Sequence, residues 1–346
     1  MCCWQNKQTF EAPLQYHDPY LLQLRQEFAQ GQLPTQCSTY CAMPGHGANE
    51  REWALKDTTW PTISDDRVVK LHLEQSLTCN LKCIICGPQY SSAWNTDYHH
   101  FDKTYPLNRQ YRNPERVWSE LDFSALTHLH FTGGEPLLNA DNKKILQHLD
   151  AIGRLGDVCI SYNTNATVFP DAEIQELWSR ARWVRLFLSL DGTESTFEYT
   201  RYPAKWSQVI DNIARFQRMS ESCILIEVTF IAGIHNIFNL PDFLIWWENS
   251  GITGSQGDAS QIFIKQVEPS SHGGQSLLLR NLPQILRSQA IDQLQPFVHY
   301  RGVADLIDEI VSGEESTDWL EYLTKLDEIR NTDFRTQLPS QLSQYF

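Results

Sequence analysis

Cys79, Cys83 and Cys86 stand in the segment SLTCNLKCIICGPQ with the spacing C-x3-C-x2-C. Three thiols this close in sequence project from one tight loop. As thiolates they can hold three irons of a [4Fe–4S] cluster and leave the fourth iron without a protein ligand. An open iron is a place for an external chelate to bind. Two blander readings stand beside this one: three buried core cysteines, or a structural zinc site, which wants four closed ligands where this loop supplies no fourth Cys or His. Cys2, Cys3, Cys37 and Cys41 form a second group near the N-terminus, read as an auxiliary cluster, a zinc site or unliganded thiols. Cys159 and Cys223 fall on expected central strands, where a small buried apolar residue accounts for them. Nine cysteines, an odd count, fit a disulfide framework poorly and metal or redox chemistry better.

Such chemistry needs a scaffold that brings loops together, and the pattern from Val68 onward provides one. Short apolar runs rich in β-branched residues recur at Val68–Glu74, His128–Phe131, Val158–Tyr162, Val184–Leu190, Cys223–Ile231 and Gln261–Val267. Amphipathic segments lie between them. Asn139–Gly153 sets Ile145, Leu146, Leu149 and Ile152 on one face, Lys205–Met219 repeats the pattern with Trp206, Val209, Ile210, Ile213 and Phe216, and Asp171–Ser179 and Pro241–Asn249 are shorter versions. This alternation predicts an α/β fold of repeated βα units around a parallel sheet. The cysteine-bearing 1–67 segment is expected to be a small module of its own and 68–275 the βα region. Residues 276–346 are expected to form a helical C-terminal extension, with two or three helices from Pro283 to Lys325 interrupted near Gly302 and Gly313 and the acidic residues of that stretch on a solvated face.

Composition narrows the partners. Of 346 residues 41% are hydrophobic and 12% aromatic, enough for a large core, so the chain should fold over most of its length. A net charge of −14 with no Lys/Arg cluster argues against nucleic acid or an anionic membrane surface as a partner. The most apolar run, Cys223 to Ile234, contains Glu227 and is strand-sized, and the N-terminal MCCWQNKQTF lacks a secretory pattern; a cytoplasmic location is the expectation.

Read strand by strand, the loops resemble the radical SAM superfamily. Its cysteine triplet follows the first barrel strand, as Cys79, Cys83 and Cys86 do here. HFTGGEPLLN follows the second, and Gly133, Gly134 and Glu135 match the family's GGEP motif, whose glycines admit close backbone approach and whose Glu135 or neighbouring carbonyls would accept from the ammonium of S-adenosylmethionine. The third strand ends in SYNTNAT, so Asn163 and Asn165 fall where the family has contacts near the ribose or methionine. Ser189, Asp191 and Arg201 in SLDGTESTFEYTR resemble the ribose and carboxylate contacts of the peptide-modifying branch. The aromatic residue that usually precedes the third cysteine and packs near the adenine is Ile85 here, an aliphatic side chain that can still cover the base. The resemblance spans residues 68 to about 268. It implies a partial (β/α)6 barrel that binds S-adenosylmethionine on a [4Fe–4S] cluster, and a 5′-deoxyadenosyl radical that takes hydrogen from a substrate.

The N-terminal cysteines look like a reduced form of the family's twitch module, which implies a second, auxiliary iron–sulfur cluster at Cys2, Cys3, Cys37 and Cys41. With four ligands it would relay electrons; with three it could ligate substrate. That module shifts the expectation toward enzymes that modify a ribosomally made precursor peptide, assisted by a separate peptide-recognition protein and a flavodoxin- or ferredoxin-like reductant. The architecture resembles the spliceases, which excise tyramine at a Tyr-Gly site and leave an α-keto-β-amino residue. Thioether or cyclophane crosslinking, epimerisation, a small-molecule radical reaction and a pure iron–sulfur electron carrier are the alternatives.

Overall fold

The computed structural model describes residues 19–30, 32, 67–74, 76–104, 118–119, 121–219, 224–252, 262–269 and 271–343. Cys2, Cys3, Cys37, Cys41 and Cys223, and with them the auxiliary-cluster ligands, lie outside the described residues. The chain divides into two compact units, 1–69 with 112–126, and 70–111 with 127–346. Within the first, the described residues include the helix α1 (Pro19–Ala29).

The second unit is built on six strands, β1 (Lys70–Glu74), β2 (His128–Thr132), β3 (Cys159–Thr164), β4 (Trp183–Ser189), β5 (Ile224–Ala232) and β6 (Ile262–Gln266). They form one sheet in sequential order, every neighbouring pair parallel. Parallel neighbours cannot be joined by a hairpin, so each connection crosses over and carries a helix. These are α2 (Trp94–Phe101), α3 (Ala140–Ala151), α4 (Ala172–Arg180), α5 (Glu194–Thr200), α6 (Trp206–Met219) and α7 (Leu240–Asn249). The result is a partial (β/α)6 barrel. After it come α8 (Gln284–Leu294), α9 (Val303–Val311), α10 (Asp318–Arg330) and the short α11 (Phe334–Gln337) and α12 (Ser340–Ser343), all in the same unit as the sheet.

Side chains alternate across each strand, and the two faces of the sheet differ in chemistry. Leu129, Phe131, Ile160, Tyr162, Val184, Leu186, Leu188, Val228 and Phe230 are almost fully buried on the outer face. The helices cover them: Trp178 of α4 packs on Tyr162 at 5.3 Å between ring centres, and Phe243 of α7 on Phe230 at 4.9 Å. The inner face carries His72, His130, Ser161, Arg185, Phe187 and Glu227, and is only partly covered apart from Glu227. Helix starts follow local chemistry. Asn139 Oδ1 accepts from the Asp141 N–H at 3.1 Å, and Asp171 Oδ1 from the Ile174 N–H at 2.9 Å, each satisfying a donor the helix leaves open.

Two sequence expectations change. Ile152 is 45% exposed rather than part of the buried face of α3, because the helix ends at Ala151 and the chain then turns through Gly153 at φ +70°. Acidic residues of the C-terminal helices also do more than face solvent: Glu309 Oε1 of α9 accepts from Arg280 Nε at 2.6 Å, and beyond Lys325 Asp327 accepts from Tyr199 Oη at 3.0 Å, Thr332 Oγ1 at 2.6 Å and the Phe334 N–H at 2.8 Å, tying α10 to α5 and α11. The outer face carries the core, so Leu186→Ala on the central strand β4 is expected to cost about 2–5 kcal/mol. Ile285→Ala, on a side chain 74% exposed, should cost close to nothing. Denaturant unfolding midpoints of the two variants check this.

Candidate cofactor site

Each β-strand delivers its following loop to the same end of the sheet, and the loop after β1 carries Cys79, Cys83 and Cys86. Its backbone is fixed from three sides. The N–H groups of Lys82 and Ile84 donate to the carbonyls of Tyr202 and Thr200 at 2.6 and 2.9 Å. Trp94 Nε1 of α2 donates to the Cys83 carbonyl at 2.9 Å, and Tyr322 Oη of α10 donates to the Ile84 carbonyl at 2.7 Å. Asp97 of α2 takes Lys82 Nζ at 2.6 Å and Arg330 Nε at 2.8 Å, a pair of ion bonds in which Asp97 and Arg330 are nearly fully buried.

The loop after β2 presses against it. Gly133 and Gly134 adopt φ of +83° and +52°, and a Cβ on Gly134 would overlap the Thr78 carbonyl. Only glycine fits such a conformation at such a separation. Glu135, fully buried, donates its N–H to that same carbonyl at 2.8 Å. Its carboxylate is occupied: Oε1 accepts from the Leu137 N–H and Thr164 Oγ1 at 3.0 and 2.9 Å, and Oε2 from the Asn165 N–H at 2.8 Å. Burial raises its pKa to about 7 despite these donors. Glu135 thus joins the ends of β2 and β3, with one donor on Oε2 and two on Oε1.

Behind the sulfurs stands a charge pair. Arg201, at the end of α5, sets a terminal nitrogen 2.6 Å from Asp191 Oδ2, and its other terminal nitrogen points at Cys83 Sγ from 3.9 Å. Asp191 is fully buried, and its Oδ1 accepts from the Ile231 N–H at 2.8 Å. Burial opposes the charge on Arg201, but Asp191, Cys83 and Cys86 outweigh it and lift its pKa. On the sulfur side, burial raises the pKa of all three thiols, Cys86 to about 11, while Arg201 pulls each one back.

Residues 74–237 match the family model of the Radical SAM superfamily. Residues 74–237 form a Radical SAM superfamily domain. Among its relatives are the GTP 3′,8-cyclases of Lactiplantibacillus plantarum, 29% identical over 173 residues (48% of this chain and 46% of that one), and of Listeria welshimeri, 25% identical over 220 residues (62% and 59%). The chain therefore spans about half of these relatives' own length. Solved structures similar to it include native anSMEcpe with bound AdoMet, with a TM-score of 0.44, 16% identity and coverage of 70% and 62%. Streptococcus suis SuiB bound to its precursor peptide SuiA has a TM-score of 0.41, 15% identity and coverage of 89% and 67%. TM-scores below 0.5 do not bear on function.

The residues of the radical SAM domain fit an iron–sulfur cluster. Three thiols from one loop lie near enough to raise one another's pKa, and a guanidinium and the Leu81 N–H, at 3.4 Å from Cys79 Sγ, stand ready to stabilise them as thiolates. Arg201 Nε and Thr200 Oγ1 are buried beside the loop with no hydrogen-bond partner, polar capacity of the sort a ligand would take up. Among the described residues no three His, Cys, Asp or Glu side chains close on a single ion.

Most residues singled out by the motifs meet at this end of the sheet. Asn165 is buried and bridges: its amide donates to Asn80 Oδ1 at 3.0 Å and approaches Cys79 Sγ at 3.9 Å, while its Oδ1 accepts from Thr167. Asn163 is exposed and Ser189 half-buried, both at strand ends on the inner face, and Ile85 is partly buried between Cys83 and Cys86. Cys159 is buried on β3 and has no part in the loop. Tyr322, Trp94, Arg330 and Asn236 have no motif to mark them. Asn236, after β5, donates to the carbonyls of Asp191 and Ile231 at 2.9 Å each. Among the described residues no helix is long and apolar enough to cross a membrane.

Gly134→Ala is expected to force the two loops apart and abolish iron and sulfide incorporation on reconstitution, with far-ultraviolet circular dichroism unchanged. The raised pKa of Glu135 gives a second expectation. Between 4.5 and about 7 the unfolded chain has lost a proton that the folded chain keeps, so this group's contribution to stability falls as pH rises through that window. Wild type should therefore lose stability relative to Glu135→Gln from about pH 5 to about pH 7, measured as the difference in their denaturant midpoints.

Proposed function

We propose that this protein is a radical SAM enzyme that modifies a ribosomally made peptide. The observation that carries the radical SAM part of the reading is the Arg201–Asp191 pair aimed at Cys83 within a loop of three cysteines, at the strand ends where the GGEP loop packs. Bound together, a [4Fe–4S] cluster on Cys79, Cys83 and Cys86 and S-adenosylmethionine supply a 5′-deoxyadenosyl radical. The chain's part is placement. Arg201 holds the charge of the sulfurs, Gly133 and Gly134 bring their carbonyls to the cofactor's amino group, and Asn163 and Ser189 offer polar atoms at the rim of the inner face. Ile85 covers one side of the adenine. Tyr322, Trp94 and the buried Asp97–Arg330 pair keep the loop from opening to water, which a reactive radical requires.

Support for a peptide substrate comes from the N-terminal cysteines: Cys2, Cys3, Cys37 and Cys41 form an auxiliary cluster of the twitch type, and residues 1–67 are its module. Tyramine excision is the reaction this architecture resembles, and crosslinking or epimerisation are its nearest relatives in outcome. A separate recognition protein presents the precursor peptide, and a flavodoxin- or ferredoxin-like protein supplies electrons. A small-molecule substrate is the second reading, favoured by the similarity to GTP 3′,8-cyclases.

Anaerobic reconstitution with iron, sulfide and a reductant, followed by S-adenosylmethionine, tests the proposal. 5′-Deoxyadenosine is expected from wild type and none from Cys83→Ala; no product from wild type with its cluster verified would overturn the enzyme reading. Cys37→Ala is expected to keep measurable cleavage of S-adenosylmethionine and to lose modified peptide, read by mass spectrometry of co-expressed precursor. A mass loss equal to tyramine identifies excision, loss of two hydrogens a crosslink, and an unchanged composition epimerisation.

A further inference from the structure

The inner face of the sheet carries polar chemistry that the cofactor site leaves unused. Arg185 of β4 lies between Ser161 of β3 and Leu225 of β5 in the sheet register. Its guanidinium sits over the Trp183 ring at 4.9 Å and near Phe187 at 5.9 Å, cation–π contacts that favour a positive charge there. Glu227 Oε1 of β5 is 3.4 Å from Arg185 Nε, but the pair is poorly aligned. The buried Nε–H makes no hydrogen bond, and Glu227 Oε2, on a side chain 9% exposed, has no partner.

Next to this pair, His130 Nδ1 lies 2.7 Å from Ser161 Oγ, and the His130 ring meets the edge of Phe187 at 6.0 Å. Burial and the neighbouring His72 push the His130 pKa down to about 4, so the imidazole is neutral at pH 7 and adds hydrogen bonding without charge. A guanidinium beside aromatic rings whose Nε–H makes no hydrogen bond presents a fork that matches a carboxylate. The surroundings also limit how much negative charge it can take. Glu74 and Glu227 share the inner face, and the chain as a whole is at −14, so one carboxylate fits where a triphosphate would be repelled.

We propose that the inner face binds a single carboxylate of the substrate at Arg185, beside the His130–Ser161 pair. The proposal rests on the reading of a peptide-acting enzyme and deepens it: the recognised segment carries an Asp or Glu side chain, or a free C-terminus, close to the reacting residue. The Glu227 carboxylate is then the internal competitor that the incoming carboxylate displaces from the guanidinium.

The test uses anaerobically reconstituted full-length protein and saturation-transfer NMR titrations with four probes. N-acetyl-glutamate methylamide offers a side-chain carboxylate, N-acetyl-glutamine a terminal one, and N-acetyl-glutamine methylamide none; GTP is the fourth. At least one carboxylate probe is expected to bind about tenfold more tightly than the neutral amide, and the better of the two tells side chain from terminus. Arg185→Gln should erase the preference and Glu227→Gln should increase it several-fold, so the site stays testable even if the arginine variant fails to fold. Equal binding of acid and amide, a preference that survives Arg185→Gln, or Arg185-dependent binding of GTP tighter than either carboxylate would overturn the proposal. Formation of 5′-deoxyadenosine by the same wild-type sample separates failure of this site from failure of the enzyme reading.

Discussion

To hold the proposed cluster, three sulfurs must carry negative charge at a site where Cys83 is buried and Cys79 and Cys86 are partly so, and the surrounding structure answers to that requirement. Burial alone favours the neutral thiols, and each additional thiolate makes the next harder to form. Iron would supply most of the compensating charge in the cluster-bound protein. Arg201 provides a permanent cation in that place. It can be buried only because Asp191, itself held by the Ile231 N–H, neutralises it from behind. The chain of dependence thus runs from β5 through Asp191 and Arg201 to Cys83.

The same requirement explains the C-terminal extension. A loop with three cysteines in eight residues has little secondary structure of its own, so its carbonyls and N–H groups need partners elsewhere. Tyr322 of α10, Trp94 of α2 and the Tyr202 and Thr200 carbonyls beyond α5 supply them. His272 packs edge-on against Trp94 at 5.1 Å and Tyr322 at 5.5 Å, and a Cβ on Gly273 would overlap the Tyr322 ring, so the segment after β6 is closed down onto the same cluster of aromatic rings. Helices remote in sequence are in this sense part of the cofactor site.

How much of this could be read beforehand depended on range. Strand existence and order followed from β-branched runs of the right length, and the strand limits were off by one or two residues because apolar residues such as Val158 continue past the last paired position. The cysteine loop and the GGEP loop were legible because spacing within a loop is local information. What Glu135 does for the fold was not: its carboxylate accepts from Thr164 of β3, from the Asn165 N–H after it and from its own loop, partners set by how the two strand ends meet. Tyr322 and the Asp97–Arg330 pair were also out of reach, since Asp97 and Arg330 meet across 233 residues and nothing in helical periodicity distinguishes a tyrosine that packs from one that also donates to a cysteine-loop carbonyl. The inner-face set of Arg185, Glu227, His130 and Ser161 depends on register across four strands, which only the sheet itself provides.

The central claim is that the sulfurs held in front of Arg201 carry a cluster with one iron open to S-adenosylmethionine. Electron paramagnetic resonance of the reduced, anaerobically reconstituted protein, recorded with and without S-adenosylmethionine, tests it most directly. The account predicts a [4Fe–4S]⁺ signal, lost in Cys83→Ala, whose g-values change when S-adenosylmethionine is added. A Cys83-dependent signal that S-adenosylmethionine leaves unchanged would contradict it.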